Sequence, residues 1–202
     1  MVERQLARRG IANPAVLDAF RAVPREQFVG PEFTDHAYAD GPLPIGAGQT
    51  ISQPFIVALM IEAAGIKAGD RVLEVGAGSG YAAALVSRIA AQVIAIERHS
   101  DLAAEARGRL HRLGFDNVTV IEGDGTKGWP DLAPFDSILI AAAGTEPPPA
   151  LLAQLKPGGR MIIPVGPPGE VQTLLRLTLH DDGRIERESL CAVRFVPLIA
   201  DR

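Results

Sequence analysis

Glycines and acidic side chains stand where three apolar segments of the chain end. The first segment runs through Glu74 into a turn with glycine at positions 76, 78 and 80, and Glu97 and Asp124 close the next two segments. Glycines permit the positive φ angles and the close backbone approach that a bound ligand requires. Carboxylates at strand ends accept hydrogen bonds from ligand hydroxyl or amino groups and attract a cationic centre. Together these residues predict a pocket for a ligand with hydroxyl groups, an amino group and positive charge.

The spacing of the glycines distinguishes between two kinds of nucleotide site. A dinucleotide-binding turn reads G-x-G-x-x-G and would place its third glycine at position 81, where this chain has Tyr81. The observed E-x-G-x-G-x-G spacing instead resembles motif I of the class I methyltransferases, which bind S-adenosylmethionine. Glu97 would then accept from the ribose hydroxyls and Asp124 from the adenine amino group. A plain structural turn is the alternative. The predicted cofactor-binding residues are Glu74, Gly76, Ala77, Gly78, Gly80, Tyr81, Glu97, Arg98, Asp124 and Gly125.

Alternating strand and helix patterns position these residues. The apolar patterns predict strands at 71–75, 92–97, 118–121, 135–142 and 160–165, and helices at 55–64, 81–90, 102–113 and 149–155. Two later strands at 174–180 and 193–198, with a turn at 181–184 after the first, predict an antiparallel end to the sheet. The fold class is therefore α/β: a three-layer, Rossmann-like, mostly parallel seven-stranded sheet with helices on both faces.

The first 54 residues form a different region. Residues 1–28 have helical periodicity, with Asn13 and Pro14 as an N-cap and a first helical residue. Glycines and prolines exclude a regular helix from 28 to 53, and a loop of this length in a compact domain is usually functional. We expect a helical and loop extension at 1–54 that covers the site, and an S-adenosylmethionine-binding core at 55–202.

Composition argues against several classes of function. The formal net charge is −4, so no basic field favours nucleic acid or an anionic membrane. The single cysteine, Cys191, excludes a disulfide framework and a cysteine-based metal site within one chain, and we predict no metal. No apolar run is long enough to span a bilayer and no hydrophobic signal region is found. We expect a cytoplasmic monomer that binds neither nucleic acid nor membrane.

Sequence blocks on both sides of the glycine turn resemble those of one methyltransferase family. Residues 43–54 (LPIGAGQTISQP) closely resemble the loop that precedes the core in protein-L-isoaspartate O-methyltransferases. Further blocks follow in the family's order at 123–125 (GDG), 128–129 (GW), 133–136 (APFD), 164–166 (PVG) and 193–198 (VRFVPL). The resemblance extends over nearly the whole chain, and the QTISQP block is its most specific part.

This resemblance implies a repair reaction on damaged proteins. A methyl group would pass from S-adenosylmethionine to the free α-carboxylate of an isoaspartyl residue, leaving S-adenosylhomocysteine. The ester would collapse to a succinimide, which hydrolyses partly to normal aspartate. A carboxylate is already ionised near neutral pH, so no general base is required. We accordingly expect surface or packing roles for the four histidines, His36, His99, His111 and His180.

The resemblance also places Ser52 at the active site, where its hydroxyl would orient the substrate carboxylate or the cofactor. The residues expected to bind substrate are Gln49, Thr50, Ile51, Ser52, Ala142, Val193, Phe195 and Val196. Residues 193–196 would hold an extended peptide through backbone groups, as an added strand does. Read without the resemblance, Ser52 is the N-cap of the helix that follows.

Other functions stay open at this point. A methyltransferase of another carboxylate or small molecule would share every cofactor residue and differ in the loop and the C-terminal strand. A cofactor-binding module without catalysis would keep the glycine turn and lose the acceptor pocket. An enzyme that methylates amino groups of nucleic acid is disfavoured, because residues 146–149 (EPPP) lack the aromatic residue that such enzymes carry.

Overall fold

Two sheets form the framework of the chain. The computed structural model describes residues 1–201, so Arg202, the last residue of the predicted core region, lies outside the described residues. The strands are β1 (Leu43–Gly46), β2 (Gln49–Ile51), β3 (Arg71–Val75), β4 (Gln92–Glu97), β5 (Val118–Glu122), β6 (Phe135–Ile140), β7 (Leu155–Val165), β8 (Gln172–Leu179) and β9 (Ile185–Val193). Strands β1 and β2 form a hairpin, and the other seven form one sheet in the order β5-β4-β3-β6-β7-β8-β9.

The large sheet is parallel over most of its width. Strands β3 to β7 pair in parallel, whereas β7–β8 and β8–β9 are antiparallel. Strand β3 is the middle one of the five parallel strands, and its last four residues are all buried. This burial explains the nearly continuous apolar run from Val72 to Val75, because a central parallel strand is covered on both faces.

Five α-helices are found in the described residues, and they cover both faces of the sheet. They are α1 (Pro14–Ala22), α2 (Pro54–Ala64), α3 (Tyr81–Ser87), α4 (Ser100–Arg112) and α5 (Pro149–Leu152). Val72 and Val93 join one core cluster with α1 to α4, while the adjacent Leu73 and Ile94 join a second cluster with α5. Neighbouring strand residues point to opposite faces, so the sheet separates two cores. The predicted three-layer α/β fold is confirmed.

The N-terminal segment contributes to the first of these cores. Asn13 caps α1, since its side chain accepts a hydrogen bond from the Ala15 amide at 3.0 Å. Leu6, Phe20 and Phe28 are buried in the same cluster as α2 and α3. The segment therefore packs directly on the elements that follow the loop. No helix within residues 1–201 is long and apolar enough to cross a membrane.

The C-terminal part differs from the sequence prediction. A strand was predicted at 193–198, but the last strand is β9, which ends at Val193. Residues beyond it leave the sheet edge, and the Ala143 backbone bonds to Val196 and Leu198 instead. The pattern failed because β9 is an exposed edge strand, and its charged sequence IERES lacks the apolar alternation of a half-buried strand.

Several boundaries and one small element also differ from the prediction. The strand predicted at 160–165 begins earlier, at Leu155, and the strand predicted at 135–142 ends at Ile140. The predicted helix at 149–155 ends at Leu152, because Leu155 already pairs with Phe135 as part of β7. Helix α3 ends at Ser87 rather than at position 90. The β1–β2 hairpin lies in the stretch for which no regular element was predicted.

Candidate functional site

Two adjoining cavities open at the carboxyl ends of the central strands. The first is bordered by the ends of β3 and β4, by β2 and by α2, and the second lies beside it towards the end of β9. Four residues line both cavities: Thr50, Ser52, Ala141 and Val196. Carboxyl ends of strands are where open α/β sheets bind ligands. Two ligands bound here would therefore meet beside Ser52.

The glycine turn forms one wall of the first cavity. Gly76 and Gly78 have φ values of 90° and 53°, which residues with a side chain rarely adopt. The Glu97 carboxylate holds this turn, because Oε2 accepts from the Gly78 amide at 2.8 Å and Oε1 accepts from the His99 amide at 3.0 Å. Glu97 is 5% exposed and lines the cavity, so its remaining lone pairs are available to ligand hydroxyls.

Glu74 is a buried carboxylate with an unused oxygen. It is 2% exposed, it lines the first cavity, and Oε2 has no hydrogen-bond partner in the described residues. Burial, together with the nearby charge of Glu97, raises the pKa of Glu74 to about 8. A buried carboxyl without a partner is costly. The cavity is therefore suited to a cationic group that would pair with Glu74.

Eight of the ten predicted cofactor residues line the first cavity. They are Glu74, Gly76, Ala77, Gly78, Tyr81, Glu97, Arg98 and Gly125. Gly80 lies in the turn outside the lining, where an added Cβ would be 3.1 Å from Leu110. Gly125 allows a close approach to β3, because a Cβ there would be 2.4 Å from Cγ1 of Val75.

Asp124 is the second predicted residue outside the lining. Its side chain is 2% exposed and accepts from the Thr126 amide at 2.9 Å and from the Asp201 amide at 3.1 Å. Burial acts to raise the pKa of Asp124, but these hydrogen bonds and one from the Thr126 hydroxyl hold it below the usual value. The carboxylate is thus ionised and engaged by the chain itself.

Ser52 follows the β1–β2 hairpin and is half-buried at the junction of the cavities. The prediction that Ser52 is the N-cap of the following helix is wrong. Helix α2 begins at Pro54, its N-cap residue is Gln53, and the Gln53 side chain makes no capping hydrogen bond. Asp40 takes over part of this role, because Oδ1 accepts from the Phe55 amide at 3.4 Å and Oδ2 accepts from Gln53 Nε2 at 2.8 Å. The Ser52 hydroxyl is accordingly not used to begin the helix.

The predicted substrate residues divide between the cavities. Gln49, Ile51 and Ala142 line the first cavity, and Val193 and Phe195 line the second. Two backbone groups expected to bind peptide are bonded within the chain: the Phe195 amide donates to Gln172 Oε1 at 2.9 Å, and the Val196 carbonyl accepts from the Ala143 amide at 2.7 Å. The added-strand interaction stays a prediction.

Several cavity residues were not predicted from the sequence. Helix α2 supplies an apolar wall through Val57, Met60 and Ile61, and His99 borders the first cavity. The only sequence feature that could have placed α2 at the site is that the helix begins at Pro54, the last residue of the QTISQP block. Its sequence is apolar on all sides, so no periodic pattern indicates which face lines a pocket.

Metal coordination receives no support from the side chains of residues 1–201. No group of three His, Cys, Asp or Glu side chains in this part of the chain could hold a metal ion. The cavities instead combine buried carboxylates, glycine backbone and apolar walls. This combination suits a cationic, hydroxyl-bearing organic ligand beside a second ligand.

Comparison with known proteins agrees with this description. The family model described as Protein-L-isoaspartate(D-aspartate) O-methyltransferase matches residues 1–202. A protein-L-isoaspartate O-methyltransferase of Methylorubrum extorquens (strain PA1) is 61% identical over 199 residues, which are 98% of this chain and 86% of that protein.

Solved structures give the same result. One protein-L-isoaspartate O-methyltransferase superposes with a TM-score of 0.86 at 31% identity, over 98% of this chain and 65% of that longer chain. A Plasmodium falciparum structure, described as the same kind of enzyme in complex with S-adenosyl-L-homocysteine, has a TM-score of 0.84 at 28% identity, over 99% and 97% of the two chains.

Proposed function

The chain belongs to the protein-L-isoaspartate(D-aspartate) O-methyltransferase family, and we propose that it transfers a methyl group from S-adenosylmethionine to the free α-carboxylate of isoaspartyl residues in proteins. The observation that carries this proposal is the meeting of two cavities at Ser52. One cavity is lined by carboxylates and suits the cationic donor. The other is bordered by the exposed Val171 and suits a peptide acceptor.

The first cavity would hold S-adenosylmethionine, which supplies an electrophilic methyl group on a positively charged sulfur. Glu74 fits this ligand because Oε2, which has no hydrogen-bond partner within residues 1–201, would face the positively charged sulfur. Glu97 would accept from the ribose hydroxyls while it holds the Gly78 amide. Gly125 would border the adenine, and Asp124 would receive the adenine amino group at Oδ2, which the Asp201 amide now approaches to 3.1 Å.

The remaining residues of the glycine turn would act through the backbone. Gly76, Ala77 and Gly78 would lie against the ligand, and Gly80 would shape the turn from behind. Tyr81 and Arg98 would complete the wall. No metal is required, because the electrophile and the leaving group both belong to the cofactor.

Ser52 would orient the acceptor. Its hydroxyl, at the junction of the cavities, would donate a hydrogen bond to the substrate carboxylate and hold one oxygen towards the donor. The carboxylate needs no deprotonation at neutral pH, so the chain has to align the reactants and exclude water. Gln49, Thr50, Ile51 and Ala142 would border the reacting groups, and Val193, Phe195 and Val196 would hold the peptide.

The division of the chain follows from these roles. We propose that residues 1–54 cover the site and that residues 55–202 form the cofactor-binding core. We further propose that the protein acts as a cytoplasmic monomer on damaged proteins and not on nucleic acid. Supporting observations are the acidic net charge of −4 and the placement of β2 and Ser52 beside the cavities.

Matched peptides test the proposal directly. Radiolabelled S-adenosylmethionine is offered with two peptides that differ only in one residue, aspartate or isoaspartate. We expect label on the isoaspartyl peptide alone, as a base-labile ester. Equal labelling of both peptides, or labelling of small carboxylic acids in place of either, would assign the chain a different acceptor. Binding of S-adenosylhomocysteine without any labelling would identify a module without catalysis.

A further inference from the structure

Arg25 is a fully buried arginine behind the point where the two cavities meet. It begins a short 3₁₀ turn, Arg25–Phe28, in the N-terminal extension, and it is 0% exposed. Arginine is almost never fully buried unless it is paired. A side chain retained at this cost has a specific task in the structure.

The hydrogen bonds of Arg25 join two separate segments. Nε donates to the Ala37 carbonyl at 2.8 Å, within the extension. Nη2 donates to the Ser52 carbonyl at 2.9 Å, at the junction of the cavities. A guanidinium group presents its donors in a rigid planar fork, so the positions of the two carbonyl groups are coupled to each other.

The same guanidinium also lies over the ring of Tyr81. Its carbon atom is 4.8 Å from the ring centroid, within the range of a cation–π interaction. Tyr81 begins α3 directly after the glycine turn and lines the first cavity. Arg25 therefore contacts one residue of the donor wall and the backbone of Ser52, one of the four residues that border both cavities.

Asp40, another residue of the N-terminal extension, also contacts the segment around Ser52. The Asp40 carboxylate accepts from Gln53 Nε2 at 2.8 Å and pairs with Arg9 at 2.5 Å. Asp40 thus holds the side chain next to Ser52, whereas Arg25 holds the backbone of Ser52 itself. Of these two contacts, only that of Arg25 also reaches the wall of the donor cavity.

We propose that Arg25 is a positioning residue for methyl transfer, which sets the place of Ser52 relative to Tyr81 and so aligns the acceptor with the donor. This inference rests on the proposed function. Transfer between two bound groups depends steeply on their alignment, and an error of about 1 Å costs on the order of 100-fold in rate. Tyr81 is one wall residue among several, and the glycine turn and Glu97, for which no hydrogen bond to Arg25 is found within residues 1–201, would hold most of the cofactor. We therefore expect cofactor affinity to change little when Arg25 is replaced.

The test compares Arg25→Lys with Arg71→Lys. Lysine keeps the charge but cannot span both carbonyl groups. Arg71 is a matched control, because it also donates to a backbone carbonyl, that of Leu132 at 2.9 Å, and to the Gln92 side chain at 3.0 Å, but it begins β3 at the end away from the cavities. All assays are run at a temperature at which thermal unfolding shows both variants to be folded.

Three measurements decide the question. For Arg25→Lys we expect kcat with an isoaspartyl peptide to fall by at least about 10-fold. The Kd for S-adenosylhomocysteine is expected to change by less than about threefold, since an interaction made only with the aligned reactants affects the rate and not cofactor binding. Hydrogen exchange of backbone amides at 49–53 is expected to become faster. Arg71→Lys is expected to change none of these three.

Several outcomes overturn the inference. They are an unchanged kcat in Arg25→Lys, a parallel loss of kcat and cofactor affinity, and unchanged amide exchange at 49–53. If Arg25→Lys does not fold, the same measurements are made on Arg25→Gln, which leaves no unpaired buried charge. Failure of both variants to fold assigns Arg25 to stability alone and overturns the inference. A wild-type protein that does not label isoaspartyl peptide refutes the proposed function separately, and amide exchange then still decides whether Arg25 holds the Ser52 segment.

Discussion

Replacing Glu74 by glutamine is expected to stabilise the protein and to weaken cofactor binding at the same time. The Glu74 carboxyl is buried, Oε2 has no partner among the described residues, and its pKa is raised from 4.5 to about 8. A group whose pKa is higher in the folded than in the unfolded chain favours folding at low pH. That contribution is fully present below pH 4.5 and is lost as the pH rises towards 8.

The magnitude follows from the size of this shift. Each pKa unit corresponds to about 1.36 kcal/mol, so the loss of stability on going from acidic pH to pH 7 is about 3 kcal/mol and above pH 8 about 5 kcal/mol. Glutamine does not ionise and avoids this loss. We therefore expect Glu74→Gln to raise the free energy of unfolding by a few kcal/mol at pH 8.5 and by much less near pH 5.

Cofactor binding is expected to change in the opposite direction. A charge pair at about 4 Å is worth about 4 kcal/mol near a protein surface, so the loss of the Glu74 charge is expected to weaken S-adenosylmethionine binding by at least about 10-fold. S-adenosylhomocysteine lacks the sulfonium charge and is expected to lose less. In the wild type, binding near pH 7 is expected to release a proton from Glu74.

Calorimetry and unfolding measure these effects. Titrations in two buffers of different ionisation enthalpy report the released proton, and urea unfolding at pH 5 and 8.5 reports stability. Glu122→Gln is the matched control, because Glu122 also stands at the carboxyl end of a parallel strand, β5, but is exposed. The reasoning is refuted if Glu74→Gln is less stable than the wild type at pH 8.5, or if it binds S-adenosylmethionine equally well.

Three other substitutions test the site. Gly125→Ala would place a Cβ 2.4 Å from Val75 Cγ1, so we expect the free energy of unfolding to fall by about 1–3 kcal/mol and cofactor binding to weaken. Gly123→Ala is the control: a Cβ there would have no atom within 4 Å, and we expect neither quantity to change. Ser52→Ala is expected to lower kcat for isoaspartyl peptide with the melting temperature unchanged, because the Ser52 hydroxyl does not cap α2. A lower melting temperature, as after the loss of a helix cap, would indicate that the hydroxyl does stabilise the start of α2. Asp124→Ala is expected to weaken S-adenosylhomocysteine binding by about 1–3 kcal/mol in titration calorimetry, and an unchanged Kd would mean that the adenine lies elsewhere.

The glycine-lined wall of the first cavity was predictable because it is local in sequence. Gly76 and Gly78 take positive φ values that the glycine spacing already implied, and Glu97 lies at the end of β4 where the pattern placed it. The parallel sheet was predictable for a similar reason, since each buried strand is a short apolar run between turns. Strand β9 was not, because an exposed edge strand has no apolar pattern to detect.

The surroundings of Ser52 and Asp124 depend on contacts between distant segments. The carbonyl of Ser52 is held by a residue 27 positions earlier, and Asp124 is bonded to an amide 77 positions later. Neither contact leaves a periodic signal, because periodicity reports how deeply a segment is buried and not which segment it meets.

The glycine turn, the alternation of the parallel strands with helices and the family resemblance could be recognised from the amino-acid sequence alone, since each depends on residues close together in the chain. Only the tertiary structure decided that Glu74 Oε2 has no hydrogen-bond partner within residues 1–201, that the Asp124 carboxylate accepts from the Asp201 amide, and that Arg25 joins Ser52 to Tyr81. The physical reason is that burial and hydrogen-bond satisfaction belong to the packed molecule, in which segments far apart in sequence share one interior.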